Sequence, residues 1–359
     1  MDERKKNHIL ACQCIRITLF VYVYVRACDA ETAFLDSFLN PLFFFLDGAV
    51  FQILEKESFL KFTYRKFRQF IVPYYFLAAL LLLSEIGFSY AEGWELTSKW
   101  AFDRIVCDIL PEFRTYSLWY LPALFCGEMI VYAIVKLSKD NLGIGTLLAF
   151  VILAVSLIYN KFCHKYLPWS LDAAFIGSFY MYFGYLTTHK KLDKIYNAVY
   201  SNRWLSLVYG LIMMVFVLFG SLAIYRYFNG QHFSGTKALY EPYYLVIPFS
   251  FVGVYAIMFL AHALENKIFI NIGKMTMIIL AIEQEVGIKL YRYFIAKNWY
   301  LVLGDNIAFD PQQMLCAILG TLLIVAISVP IYYLFMYTPI CVIFNKKYIS
   351  KHKKNMVVS

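Results

Sequence analysis

The sequence has few charged residues for its length. Asp, Glu, Lys and Arg make up 16% of the 359 residues, whereas soluble domains contain about 25%. Hydrophobic residues reach 61%, and the mean hydropathy is +0.60. This shortage of charge excludes an ordinary cytosolic enzyme, a disordered chain and a basic nucleic-acid-binding domain. The long apolar runs that the chain does contain are typical of an all-α polytopic membrane protein.

Several motifs of well-known enzyme classes are also missing. There is no G-x-S-x-G elbow and no Walker loop, so neither a hydrolase nucleophile nor a P-loop is expected. Cys12 and Cys14 would point about 200° apart on a helix, which does not suit a shared metal ion. Cys163 and His164 have no further ligands nearby in the sequence. We therefore predict no metal site.

The apolar runs predict ten membrane-spanning helices, because each run can cross about 30 Å of hydrocarbon at 1.5 Å per residue. The predicted spans are 9–27, 36–54, 70–88, 117–136, 143–160, 169–187, 204–225, 241–262, 275–295 and 312–337.

The distribution of basic residues predicts how the spans are oriented. If both termini are cytoplasmic, the cytoplasmic segments contain 21 of the 33 Lys and Arg residues and the external loops contain 9. This bias follows the positive-inside rule. We predict one transmembrane domain over 1–345 and a basic cytoplasmic tail over 346–359, with membrane lipids as the surrounding partner.

Ionisable residues inside membrane spans are energetically costly and are candidates for function. Asp47, Glu128, Asp172 and Glu283 lie within predicted spans. Arg65 and Arg68 come just before the third predicted span, three residues apart, so a helix would place them on one face. Two guanidinium groups on one face suit a phosphate or pyrophosphate. The alternative is that they follow the positive-inside rule and contact anionic lipid headgroups.

Five short motifs, in order along the chain, resemble those of membrane-bound acyltransferase family 3, the group that acylates bacterial surface glycans. The segment from Pro41 to Gly48 is similar to the family's Pro-Leu-Phe-Phe-Phe-Ile-Ser-Gly, and Arg65 and Arg68 match its Arg-x-x-Arg pair. The segment from Leu118 to Phe125 resembles Leu-Trp-Phe-Leu-Pro-Ala-Leu-Phe. The other two motifs fall at 171–185 and 272–284.

The resemblance implies a core of ten helices and a reaction in which an acyl group passes from acyl-CoA to a glycan hydroxyl. It implies that Arg65 and Arg68 bind the phosphates of acyl-CoA. It also implies a histidine at the end of the first span as the general base, a role that suits histidine because its pKa is close to neutral.

This sequence departs from the family pattern at the residues for proton transfer. Arg26 stands where the histidine is expected, and an arginine stays protonated and cannot accept a proton. Asp47 replaces the serine of the first motif, and Glu283 replaces a second histidine. The upstream basic residue, Arg16, is one position beyond Ile15, to which the family spacing points.

Three interpretations follow from this departure. In the first, Glu283, Asp47 or Asp172 accepts the proton of an acyltransferase reaction, and Arg26 stabilises an oxyanion. In the second, the chain keeps the fold and has lost catalysis. In the third, it exports an extracellular polysaccharide along a polar path.

We predict an O-acyltransferase of the bacterial cytoplasmic membrane that moves an acetyl group from acetyl-CoA to a hydroxyl of a cell-surface polysaccharide or other glycan. Glu283, Arg26 and Asp47 are the predicted catalytic residues. Arg65 and Arg68 are predicted to bind acyl-CoA, and Trp119 and Asp172 the glycan acceptor.

Overall fold

A computed structural model describes residues 3–26, 29–54, 57–91, 117–139, 141–163, 166–188, 202–227, 243–287 and 311–344, with a few single residues between them. Within these ranges the chain is helical and contains no β-strand. The helices are α1 Glu3–Arg26, α2 Asp29–Val50, α3 Phe59–Lys66, α4 Val72–Ala91, α5 Tyr120–Ser138, α6 Leu142–Phe162, α7 Leu171–Thr188, α8 Arg203–Tyr227, α9 Tyr243–Leu264, α10 Lys267–Lys274, α11 Thr276–Ile282 and α12 Pro311–Tyr337.

Seven helical stretches in the described residues are long and apolar enough to cross a membrane, which confirms the predicted class of polytopic helical membrane protein. They are Thr32–Val50, Phe59–Tyr90, Tyr120–Ser138, Leu142–Phe162, Arg203–Tyr227, Leu245–Leu264 and Met314–Tyr337.

The other three predicted spans coincide with α1, with α7, and with α11 and the helical turn that follows it. α1 carries several basic residues, and α11 is short within the described residues, so both differ from a uniformly apolar span. The total of ten spans and the side of the membrane that holds each terminus remain predictions. The basic tail predicted over 346–359 lies outside the described residues.

The helices differ in how much of their surface faces the centre of the bundle. The apolar stretch of α2 within Thr32–Val50 is 78% buried inside the bundle. The apolar stretches of α6 and α8 are each 22% buried. Phe43, Phe44 and Phe45 of α2 are all nearly inaccessible. α2 is therefore a central helix, and α6 and α8 present apolar side chains outwards, as helices in contact with lipid do.

Two glycines allow helix backbones to approach at the centre of the bundle. A Cβ atom at Gly48 would overlap the backbone of Met181 in α7, and one at Gly273 would overlap the carbonyl of Leu10 in α1. Small residues are commonly used in this way where membrane helices approach closely. The close approach of α2 to α7 fixes the position of Asp47, the residue next to Gly48.

Two short π-helical turns interrupt the helices. Phe67–Ile71 joins α3 to α4, and Glu283–Gly287 follows α11. A π-helical turn contains more residues than an α-helical turn, and such turns are frequent at functional sites. The first of them lies beside the Arg65 and Arg68 motif.

Candidate functional site

A cavity of about 330 Å³ lies among α1, α2, α5, the first π-helical turn, α10, α11 and α12. Leu10, near the start of α1, and Phe344, near the end of the described residues, both line it, so it lies at the end of the bundle where these two segments meet. Most of the lining is apolar. The polar side chains on its wall are Gln13, Arg16, Asp47, Gln69, Tyr120, Lys274, Thr276 and Tyr332.

Arg16 is the buried cation of this cavity. Its guanidinium carbon lies 3.3 Å from the centre of the Phe43 ring, and its side chain hydrogen-bonds to Tyr120. Only 3% of the residue is exposed, and its Nε has no hydrogen-bond partner among the described residues. A guanidinium group over an aromatic face is held by a cation–π interaction. This arrangement leaves one buried donor of Arg16 available to a ligand.

Asp47 contributes a buried carboxyl group to the same cavity. Its side chain hydrogen-bonds to Glu128 of α5, and its Oδ2 has no partner among the described residues. This contact joins α2 to α5, and Asp47 Oδ2 remains available as an acceptor.

Lys66 completes the buried group of charged residues. Its Nζ lies 2.6 Å from each carboxylate oxygen of Glu128, and both side chains are almost fully buried. A buried ion pair of this kind requires good geometry, because each charge has lost its contact with water. Arg16, Asp47, Lys66 and Glu128 thus form one cluster, which we call the buried charge cluster.

Arg65 and Arg68, the residues predicted to bind acyl-CoA, lie outside this cluster. Arg65 donates from Nε and Nη2 to the two carboxylate oxygens of Glu57, at 2.8 Å each, and from Nη2 to the carbonyl of Gln52. The Arg65 guanidinium lowers the pKa of Glu57, so this carboxylate stays ionised. Arg68 is exposed within the first π-helical turn. Their role in CoA binding remains a prediction.

The other predicted site residues fall in different places. Trp119 is buried and its ring contacts the ring of Tyr120, which lines the cavity. Asp172 is buried at the start of α7 and accepts a hydrogen bond from the backbone N–H of Leu167 at 3.3 Å. It therefore contributes to the helix start, and it is not part of the cavity wall.

Glu283 is fully buried at the start of the second π-helical turn and does not line the cavity. Arg26 is the last residue of α1, and its side chain lies outside the described residues. Of the three predicted catalytic residues, the structure thus places Asp47 in the cavity wall. The catalytic roles of all three remain predictions.

Sequence reasoning did not assign Arg16, Lys66, Glu128 or Tyr120 to the site. The position of Arg16 already indicated a possible site, because an arginine inside a membrane span needs an anionic or aromatic partner. Lys66 lies between Arg65 and Arg68 in the basic motif, and the sequence does not distinguish its role from theirs. Only the structure shows that α1, α2, α3 and α5 bring these residues together.

No group of three His, Cys, Asp or Glu side chains in the described part of the chain is arranged to hold a metal ion. Cys12 and Cys14 are both buried in α1.

These features define a polytopic membrane protein with a charged cavity buried among its helices. The family model for the acyltransferase domain of the acyltransferase 3 type matches residues 15–336, which is most of the chain. The chain therefore belongs to this family of membrane acyltransferases. No curated protein and no solved structure gives a significant match.

Proposed function

We propose that the protein is an O-acyltransferase of the bacterial cytoplasmic membrane that transfers an acyl group from acyl-CoA to a hydroxyl of a cell-surface polysaccharide or other glycan. Family membership supports acyl transfer. The observation that carries the assignment of the site is the pair of unpartnered buried atoms, Arg16 Nε and Asp47 Oδ2, in one cavity.

Asp47 takes the place of the missing histidine in this proposal. Its Oδ2 accepts the proton of the acceptor hydroxyl while the hydroxyl oxygen attacks the thioester carbonyl carbon. The C–O bond forms and the C–S bond breaks, and the proton passes from Asp47 to the departing CoA thiolate. The contact with Glu128 and the nearby ammonium of Lys66 hold the Asp47 carboxyl group in position.

Arg16 supplies the positive charge for the oxyanion that develops on the carbonyl oxygen during attack. A donor fixed in advance in a site with little water is effective because it does not need to reorganise during the reaction. Its contacts with Phe43 and Tyr120 fix the guanidinium in this way. In this proposal Arg16 takes the oxyanion role that the sequence had suggested for Arg26.

The acyl-CoA nucleotide lies outside the cavity in this proposal. In this proposal the exposed Arg68 and Lys274 on the cavity wall bind its phosphates while the thioester enters the cavity. The charge bias of the loops supports a cytoplasmic position for this end of the bundle, and acyl-CoA is found in the cytoplasm.

The test compares Asp47→Asn with Asp36→Asn, which changes another carboxyl group of α2 that does not line the cavity. Purified variants in lipid vesicles receive radiolabelled acetyl-CoA and a glycan extract from cells that lack the gene. We expect Asp47→Asn to lower transfer by about 10²–10⁴-fold, the usual contribution of a general base. Asp36→Asn should retain most of the wild-type activity.

Thermal unfolding of both variants in detergent controls for a loss of structure. Transfer by Asp47→Asn within threefold of the wild type would exclude Asp47 as the base. Mass spectrometry of envelope glycans with and without the gene identifies the acceptor. Loss of a surface polysaccharide without loss of ester groups would favour the export alternative.

A further inference from the structure

A second cavity, of about 140 Å³, lies between α4, α11, the second π-helical turn and α12. Nine of its ten lining side chains are apolar, and the tenth is Ser84. The Ser84 hydroxyl donates its hydrogen to the carbonyl of Leu81 at 2.8 Å. The lining therefore offers an apolar ligand a dry surface and gives a polar ligand little to bind, as expected for an apolar cavity that excludes water.

The second cavity adjoins the charged one. Ile278 of α11 and Phe335 of α12 line both of them. The Phe335 ring is held from the other sides by Phe76, at 6.0 Å between ring centres, and by Phe344, at 5.8 Å. These two side chains therefore form the boundary between the two cavities.

We propose that the second cavity binds the hydrocarbon chain of the acyl donor, so that the protein prefers acyl groups longer than acetyl. The inference rests on the proposed acyl transfer and adds the class of donor, which is an acyl-CoA with a saturated acyl group of about six carbons. An apolar cavity of about 150 Å³ holds benzene, which has six carbons. The second cavity has a similar volume, so we expect it to hold a chain of about six carbons. An acetyl group leaves this cavity empty.

Burial of each methylene group in an apolar site improves binding about fourfold. Hexanoyl-CoA has four more carbons than acetyl-CoA, so its advantage should be on the order of a hundredfold in kcat/KM. A chain of ten carbons is too long for the cavity and should lose part of this advantage. The expected profile therefore rises from acetyl to hexanoyl and then falls.

The experiment measures kcat/KM for acetyl-, butyryl-, hexanoyl- and decanoyl-CoA with wild type, Ala281→Phe and Ala79→Phe. Ala281 is buried in the wall of the second cavity, and a phenyl ring there fills it. Ala79 is an exposed residue of α4 and provides a matched control. We expect Ala281→Phe to abolish the preference for hexanoyl and to keep acetyl transfer, and Ala79→Phe to keep the wild-type profile.

Ser84→Leu, which fills the cavity from α4, tests the same point if Ala281→Phe does not fold. The inference is wrong if the wild type transfers acetyl and hexanoyl groups equally well, or if filling the cavity leaves the chain-length profile unchanged. It is also wrong if a phospholipid chain co-purifies in this cavity and acyl-CoA does not displace it.

A binding measurement separates this inference from the proposed function. Native mass spectrometry of the purified protein with CoA and with hexanoyl-CoA requires no transfer. Tighter binding of hexanoyl-CoA, lost in Ala281→Phe, would support the chain site even in a protein that transfers nothing. Equal binding of the two compounds would overturn it, whatever the activity.

Discussion

Arg65 and Lys66 are neighbours in the sequence, yet their side chains have opposite environments. Arg65 forms an ion pair with Glu57, eight residues away, and its side chain is 28% exposed. Lys66 pairs with Glu128, 62 residues away, and its side chain is 5% exposed. The comparison shows that one basic motif combines a surface charge with a charge that belongs to the interior.

Because of this difference, we expect residues of the same motif to have different roles, one in the stability of the fold and another in ligand binding. Removing one partner of a buried ion pair leaves an uncompensated charge, whereas an exposed pair contributes little because water and salt screen it. We therefore expect Lys66 and Glu128 to matter for the folded protein. Arg68 is exposed and can contribute mainly to binding of an anionic ligand, whereas Arg65 is already paired with Glu57.

The largest expected effect is that of Lys66→Met. This change leaves Glu128 buried without its cation and should destabilise the protein by about 3–5 kcal/mol. The measurement is thermal or chemical unfolding in detergent. The double variant Lys66→Met with Glu128→Leu should recover most of the loss, since an apolar pair can replace a buried ion pair. No recovery would mean that the loss comes from something other than the unpaired charge.

An intermediate effect is expected for Arg68→Ala. Because Arg68 is exposed, its loss should raise the KM for acyl-CoA about tenfold, the value of one charge-assisted hydrogen bond, with little change in unfolding. Arg65→Ala should raise KM less, because Glu57 already occupies two donors of Arg65. Initial rates over a range of acyl-CoA concentrations give both values. A KM unchanged in the double variant would remove both arginines from the CoA site.

The smallest effect is expected at Glu57. The lowered pKa of Glu57 means that the ion pair stabilises the folded state above the ordinary carboxyl pKa of 4.5, and that this contribution is lost as the pH falls through the lower pKa of the folded state. Glu57→Gln should therefore destabilise the protein by less than about 1 kcal/mol at neutral pH. The difference from wild type should vanish in strongly acidic buffer. A difference that persists there would show that Glu57 acts through packing and not through charge.

The class of fold was predicted correctly from the sequence because a helix that crosses a membrane must consist mainly of apolar residues. A long apolar run such as the one in α8 predicts a helix in contact with lipid. The structure also places Asp47, one of the predicted site residues, in the cavity. Asp172 accepts a hydrogen bond near the start of α7 and lies outside the cavity wall, and its role in acceptor binding stays a prediction.

The buried charge cluster could not be predicted because its members come from separate helices. Arg16 lies one position beyond Ile15, the position to which the family spacing points. In the structure the ring of Phe43 and the side chains of Asp47 and Tyr120 surround it. Spacing along a chain does not report which faces of distant helices meet, and it cannot show that Lys66 and Arg65 diverge.

The first π-helical turn has a consequence for how this sequence can change length. Each residue of an α-helix turns the chain by about 100°. Deletion of one residue within Phe67–Ile71 would restore regular α-helix and rotate α3 relative to α4 by about that angle. Lys66 would then turn away from Glu128, and a different basic side chain would face the interior. A single-codon deletion at this turn is therefore expected to bring Arg65 to the interior position that Lys66 now occupies.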